Sequence, residues 1–260
     1  MNLEDVIDKS KIKYDEDLSK HCTMGVGGKA DIMVLPTTEN DIINTVKYAR
    51  DNDINLYILG CGSNVVISDK GIRGIVLKIA YNFKGIEIKD DYVTALAGTS
   101  MPIIAIKSRD NNLSGFEFAC GIPGTIGGGV KMNAGAYDSE MSNVIVSVKY
   151  LDENYNICEI KKEDMDMSYR HTIFLDNNKY IILSVKLKLE KKDKEYIINK
   201  MNENTLSRKT KQPLEYNSAG SVFRRPKGYF VGKLITDSNL KGVNVGGAYV
   251  SEKHARIYCK

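Results

Sequence analysis

The chain has 260 residues, 42% hydrophobic and 27% charged, which suits a globular protein with a real core in one large or two small domains. Its 37 basic and 33 acidic residues leave a net charge of +4 and are interspersed. The densest run, Glu190 to Glu195, mixes signs and reads as a solvated face rather than a nucleic-acid surface. Five cysteines (Cys22, Cys61, Cys120, Cys158, Cys259) lie far apart with no Cys-x-x-Cys or Cys/His ligand spacing. That argues against a metal site and predicts free thiols in a reducing compartment. The segment from Met1 to Lys13 has acids and no apolar stretch, and no window reaches the length of a membrane span. The expected location is therefore the cytoplasm.

In chain order, residues 38–52 are predicted helical. Thr38 caps with Asp41 three positions on, and Ile42, Val46 and Ala49 share a face. Leu56 to Leu59 is a short strand running into Gly60-Cys61-Gly62-Ser63-Asn64, then the apolar Val65-Val66-Ile67 and a further strand segment over 74–79. Tyr92 to Ala97 is a strand entered through an Asp90-Asp91 turn, and Pro102 to Arg109 a helix with proline in its first turn. Residues 144–151 and 157–160 flank Asp152-Glu153-Asn154 as a hairpin. Leu183, Val185, Leu187 and Leu189 alternate with polar residues, so this strand has one wet face. A polar helix follows over 192–209, and a new region begins near Gln212-Pro213. Strands and helices mix without regular βαβ alternation, which predicts an α+β fold.

Four segments carry possible chemistry. Gly60–Asn64 follows a strand, and its glycines let backbone approach a phosphate while Ser63 donates to it. It lacks the third glycine and following helix of the dinucleotide fingerprint, and read alone it serves equally as a hairpin turn. The stretch Gly121-Ile122-Pro123-Gly124-Thr125-Ile126-Gly127-Gly128-Gly129, leading to Asn133-Ala134-Gly135, is almost uncharged. Its side chains are small because something lies against the backbone, and a cofactor is favoured over another strand. Tyr169-Arg170 offers a planar fork for a carboxylate. Asn217 to Pro226 crowds small residues around Ser221 and ends on Arg224 and Arg225. His21, His171 and His254 sit in no nucleophile-elbow context, so each is read as a surface or structural histidine.

These motifs, in this order, resemble the UDP-N-acetylenolpyruvoylglucosamine reductase family, in its shorter class. The resemblance runs from Thr23-Met24-Gly25-Val26-Gly27-Gly28 to Val250-Ser251-Glu252-Lys253-His254-Ala255, nearly the whole chain. It implies an α+β fold: a vanillyl-alcohol-oxidase (PCMH) type FAD-binding domain of two subdomains and a small substrate-binding domain. On that reading residues 1–24 are an N-terminal segment, 25–190 the FAD domain and 191–260 the substrate domain. It implies non-covalent FAD, NADPH as reductant and a UDP-sugar enolpyruvyl ether as substrate. No histidine stands near the Gly60–Asn64 loop in sequence, which suits the non-covalent cofactor.

The family roles carried over place Gly60, Cys61, Gly62, Ser63, Asn64, Gly121, Ile122, Pro123, Gly124, Thr125, Gly128, Asn133, Ala134 and Gly135 around the flavin. Tyr169 and Arg170 reach the substrate carboxylate, Arg170 also stabilising the developing enolate, and Ser221 donates a proton. Charge adds Arg224, Arg225 and Lys233 as candidates for the UDP phosphates. The family continues past the His254 region to a strand bearing a catalytic glutamate, whereas these residues end at Lys260. The expectation is retained flavin contacts with impaired reduction of the enolpyruvyl group. Two further readings stay open: a non-catalytic flavin-binding remnant of the family, and a FAD-linked alcohol or lactone oxidase sharing only the flavin domain.

Overall fold

A computed structural model describes residues 2–260. The first sheet contains β1 (Ile12–Asp17), β2 (Lys29–Val34), β3 (Leu56–Leu59) and β4 (Ile72–Lys78) in the order β1-β2-β4-β3. β1 runs antiparallel to β2, while β4 is parallel to both β2 and β3. Helix α1 (Glu39–Asp51) makes the crossover between β2 and β3. The Thr38 hydroxyl accepts from the Asp41 amide at 3.1 Å and the Asp41 carboxylate from the Thr38 amide at 2.9 Å, the reciprocal cap expected from the sequence. Ile42, Val46 and Ala49 are wholly buried on one face. Burial opposes ionisation of Asp41, but the Lys11 ammonium at 2.8 Å and the Thr37 and Thr38 amides outweigh it and pull its pKa down to about 2.

The second sheet is wholly antiparallel. Its members are β5 (Ile86–Lys89), β6 (Tyr92–Leu96), β10 (Ile145–Leu151), β11 (Ile157–Lys161) and β12 (Ile181–Lys188), in the order β11-β10-β12-β6-β5. Between β6 and β10 the chain forms α2 (Met101–Asp110), β7 (Leu113–Ser114), α3 (Ile126–Lys131) and the small ribbon of β8 (Gly135–Ala136) with β9 (Ser139–Glu140). A short helix α4 (Ile173–Asp176) precedes β12, and β13 (Glu190–Lys191) pairs with β7. Leu183, Val185 and Leu187 are fully buried while Lys186 and Lys188 face out, as the alternation requires. One continuous core joins α1, β4, α2, α3 and the inner face of this sheet.

Helix α5 (Lys194–Lys211) starts two residues later than the sequence suggests, because Asp193 accepts from the Glu195 and Tyr196 amides and caps it. It packs on the segment around Glu117, where the Asn204 amide donates to the Glu117 carbonyl at 3.2 Å. The chain ends in a third sheet of β14 (Ser218–Ser221), β15 (Asn244–Val245), β16 (Ala248–Val250) and β17 (Ile257–Cys259), ordered β14-β17-β16-β15, with helix α6 (Val231–Asp237) against it. Val231, Ile235 and Ala255 form a small separate core there. All five cysteines are free thiols. Among the described residues no helix is long and apolar enough to cross a membrane.

Candidate active site

The two glycine-rich segments meet. A Cβ on Gly60 would stand 2.8 Å from the Thr125 hydroxyl, and one on Gly124 would stand 3.8 Å from that of Ser63. Gly62 has φ 68°, and a Cβ there would lie 2.1 Å from the His21 carbonyl oxygen. No other residue type fits that position without moving the backbone. Thr125 caps α3 by accepting from the Gly128 amide at 3.3 Å. Gly127 and Gly129 press against Ala97 and Met101, with virtual Cβ contacts of 3.0 and 2.6 Å. The result is a cleft lined by Ile58, Gly60, Thr125, Gly128, Lys131 and Tyr180. Cys61 and Ile122 are half-buried, Asn64 and Pro123 are exposed on the loops, and none of the four lines this cleft.

Tyr169 and Arg170 occupy the tip of a tight turn whose ends, Ser168 and His171, exchange backbone hydrogen bonds of 3.2 and 3.1 Å. Arg170 has φ 58°, the left-handed region that L-residues enter only when the surroundings hold them. Its guanidinium donates to the carbonyls of Asn133 at 3.0 Å and Gly135 at 2.8 Å, and lies 5.1 Å from the Tyr169 ring centroid. Asn133 is fully buried. Its amide donates to Glu140 at 3.0 Å and to the Ser168 carbonyl at 2.9 Å, and its oxygen accepts from the Ser142 amide at 3.0 Å. This side chain is consumed inside the protein; it faces a ligand only through backbone. Ala134, whose amide donates to the Gly129 carbonyl at 2.8 Å, carries the chain from α3 to Gly135.

The loop after β14 reaches the same turn. Arg224 donates to the Arg170 carbonyl at 3.5 Å, and the Arg225 amide donates to the Tyr169 hydroxyl at 3.4 Å. Ser221 ends β14 opposite Ile257 and is exposed. Three segments far apart in sequence therefore converge at Tyr169-Arg170. Arg225 sits 5.5 Å from the Phe230 ring centroid. Lys233 is exposed on α6 and already paired with Asp237 at 2.7 Å, so it binds an anion only by exchanging that partner.

Several residues at the site escaped the sequence reading. Arg208, on α5, lies over Gly121, where a Cβ would meet its Cδ at 3.0 Å. Burial pulls its pKa below the ordinary arginine value, and among the described residues it has no carboxylate partner. A half-buried cation beside a glycine turn is the signal, and it is visible only in space. Lys131 lines the cleft with its ammonium on the Asn178 side-chain oxygen at 2.8 Å, and burial lowers its pKa. His21 corrects the sequence view that no histidine stands near the Gly60–Asn64 loop, since its carbonyl packs on Gly62. Its ring is committed to Glu16 at 2.7 Å and Lys78 at 3.0 Å, so it remains a structural histidine.

Comparison with known proteins then decides the ancestry. The UDP-N-acetylenolpyruvoylglucosamine reductase of Clostridium perfringens is 45% identical over 253 residues, covering 97% of this chain and 83% of the relative. The chain belongs to the UDP-N-acetylenolpyruvoylglucosamine reductase family. The corresponding protein of Clostridioides difficile is 44% identical over 254 residues, again covering 83% of the relative. An FAD binding domain model matches residues 30–160, and a model described as UDP-N-acetylenolpyruvoylglucosamine reductase, C-terminal domain, matches 212–259. The crystal structure of the Thermus caldophilus member of the reductase family superposes with a TM-score of 0.83 at 30% identity, covering 96% of this chain and 87% of that one. A 4-ethylphenol oxidase from Gulosibacter chungangensis aligns with a TM-score of 0.56 at 14% identity over 73% of this chain and 41% of its own. That likeness shows a shared fold alone: the α+β flavin fold of the vanillyl-alcohol-oxidase type.

Proposed function

We propose that this chain reduces UDP-N-acetylglucosamine enolpyruvate to UDP-N-acetylmuramate in the cytoplasm, with NADPH as reductant and FAD held without a covalent bond. The observation that carries the reading is the convergence of the Arg170 turn, the Gly135 backbone and the Arg224-Arg225 loop. The cleft fits the cofactor. Its wall includes backbone at Gly60 and Gly128, a Cβ on Gly60 would collide with Thr125, and Lys131 is a cation in its lining. Gly60–Asn64 and Gly121–Gly135 would hold FAD, with Asn133 acting through its fold rather than its amide. Bound there, FAD would supply hydride-transfer chemistry between NADPH and the enolpyruvyl group.

The protein's own residues handle the charge and the proton. Arg170 faces the substrate carboxylate with the N–H groups it does not spend on Asn133 and Gly135, and stabilises the negative charge that hydride addition spreads onto that carboxylate. Tyr169 packs on the guanidinium and limits its swing. Ser221 donates its proton to the adjoining carbon, which is basic enough at that moment to accept it. Arg224 and Arg225 attract the UDP phosphates, with Lys233 of α6 a further candidate. The division at residues 1–24, 25–190 and 191–260 belongs to this proposal, with α5 bridging the last two parts.

The test is spectral. Purified protein should be yellow, release FAD on denaturation, bleach with NADPH without oxygen, and recover colour on adding the enolpyruvyl ether. Ser221→Ala should leave bleaching intact and slow recovery by on the order of a hundredfold. Protein that gains no flavin spectrum in excess FAD, or bleached protein that the ether fails to reoxidise, would sink the assignment.

A further inference from the structure

We propose that His171 is a positioning residue for Arg170: its ring, clamped between the Asp166 carbonyl and the Asp176 carboxylate, holds the turn in the form that presents the guanidinium. The inference rests on the role assigned to Arg170 above. The His171 Nδ1 stands 3.1 Å from the Asp166 carbonyl oxygen, and Nε2 stands 3.0 and 3.1 Å from the two Asp176 oxygens. Both partners are acceptors. A neutral imidazole has one N–H and satisfies only one of them, whereas the imidazolium satisfies both. The bridged geometry therefore specifies the charged ring.

The clamp acts where the backbone needs holding. Asp166 has φ 46° and Arg170 φ 58°, the left-handed region that a residue with a Cβ enters only under strain. Asp166 opens the loop and Asp176 closes α4 beyond it, so the ring ties the loop's two ends across the turn. The other side-chain restraints lie on the opposite side: Asn133 on the Ser168 carbonyl, and the Thr172 hydroxyl on the Lys131 carbonyl at 3.1 Å. Backbone bonds close the neck of the loop, Ser168 with His171 and the Ile173 amide to the Met165 carbonyl at 3.0 Å; the ring adds the side-chain tie between Asp166 and Asp176.

The charged groups against the ring are the carboxylates of Asp176 at 3.0 Å and Asp166 at 3.9 Å. The neighbouring Arg170 turns its guanidinium to Asn133 and Gly135, and Arg224 meets only the Arg170 carbonyl. The bond to the Asp166 carbonyl, then that to Asp176, raises the His171 pKa above its ordinary value. A raised histidine pKa gives stabilisation that is complete below about pH 6.5 and lost as pH rises through the folded value. The turn should therefore loosen on the alkaline side.

The experiment uses holoenzyme and two variants, His171→Gln and Asp176→Asn. Rates of flavin bleaching by NADPH and of reoxidation by the enolpyruvyl ether are followed from about pH 6 to about pH 9. Reoxidation by the native protein should fall on the order of tenfold across the His171 titration, and His171→Gln should be slower by about ten- to a hundredfold at low pH with no such limb. Asp176→Asn should keep the limb but move it to lower pH, and bleaching should follow neither change. In parallel, NMR should show the His171 C2–H titrating above about pH 6.5 and the Arg170 Nε–H resonance shifting with it. A limb that survives His171→Gln, or one shared equally by both half-reactions, overturns the clamp. So does a ring that titrates at or below its ordinary value. Because the resonances need no substrate, they judge the clamp even if reoxidation fails and the function assignment falls with it.

Discussion

Asn133→Ala tests how the Arg170 turn is built. The side chain makes three internal hydrogen bonds of 2.9 to 3.0 Å from a fully buried position. Each is worth about 1 kcal/mol net; the half-buried Ser142 amide loses its partner, whereas the exposed Ser168 carbonyl keeps the His171 amide, so the network totals about 3 kcal/mol. Alanine adds strain, because Asn133 has φ 39°, and that contributes about 1 kcal/mol more. At about 2–4 °C per kcal/mol for a chain of this size, the melting midpoint should drop by roughly 8–16 °C. Circular dichroism melts at fixed FAD concentration measure it. Asn133→Gly should regain only the strain, roughly 3 °C. Reoxidation by the enolpyruvyl ether should slow as well, since Ser168 loses an anchor. A midpoint within about 2 °C of the native protein would refute the reasoning. Weakened FAD binding at unchanged stability would refute it differently, by showing that the amide serves the cofactor.

Arg170→Lys should slow reoxidation at least about tenfold while bleaching by NADPH stays within about twofold, because an ammonium cannot span the Asn133 and Gly135 carbonyls and a carboxylate together; stopped-flow absorbance of the flavin reads both. Gly62→Ala should weaken FAD at least about tenfold in a fluorescence titration, whereas Gly220→Ala, at φ 77° with nothing within 4 Å of its added Cβ, should pay conformational strain alone and leave FAD binding unchanged. Asp41→Asn should lower stability at neutral pH and flatten its acid dependence. The depressed Asp41 pKa of about 2 gives stabilisation present above the unfolded value near 3.8 and lost as pH falls towards 2, and urea melts across that window check it.

Elements with strong local signals were legible. The Thr38–Asp41 cap, the β3 segment, the β10–β11 hairpin and the alternation of β12 each carry a pattern that local physics alone enforces. The first two strands and the third sheet were not, because β1 is mostly charged and β14 to β17 have only two to four residues each. Helix α3 was hidden for another reason. Three consecutive glycines oppose helix formation, yet Ala97 and Met101 leave no room for larger side chains, and packing decides the matter. At the site, the sequence named the glycine turns and the Arg170 fork but not what stands behind them. Arg208 over Gly121 and His21 beside Gly62 are contacts between distant segments, which no spacing rule encodes.

The two walls of the site differ in strength, and the difference follows from burial. The glycine-rich wall is anchored by Asn133 with no exposed surface, by Thr125 capping α3 and by Gly129 of that helix against Met101. Water cannot compete there, so its hydrogen bonds keep their worth. The opposite wall, residues 220–230, is exposed throughout and meets the turn by two bonds of 3.4 and 3.5 Å. Exposed bonds that long contribute less than about 1 kcal/mol each, so parting the Arg224-Arg225 loop from Tyr169-Arg170 costs little. A ligand bearing phosphates and a carboxylate replaces those weak bonds with charge-assisted ones to the same arginines. The site is thus rigid where a cofactor would stay and yielding where a reductant and a substrate would have to exchange, and the boundary between the two regimes runs through Arg170. Its guanidinium belongs to the rigid wall and its carbonyl to the yielding one.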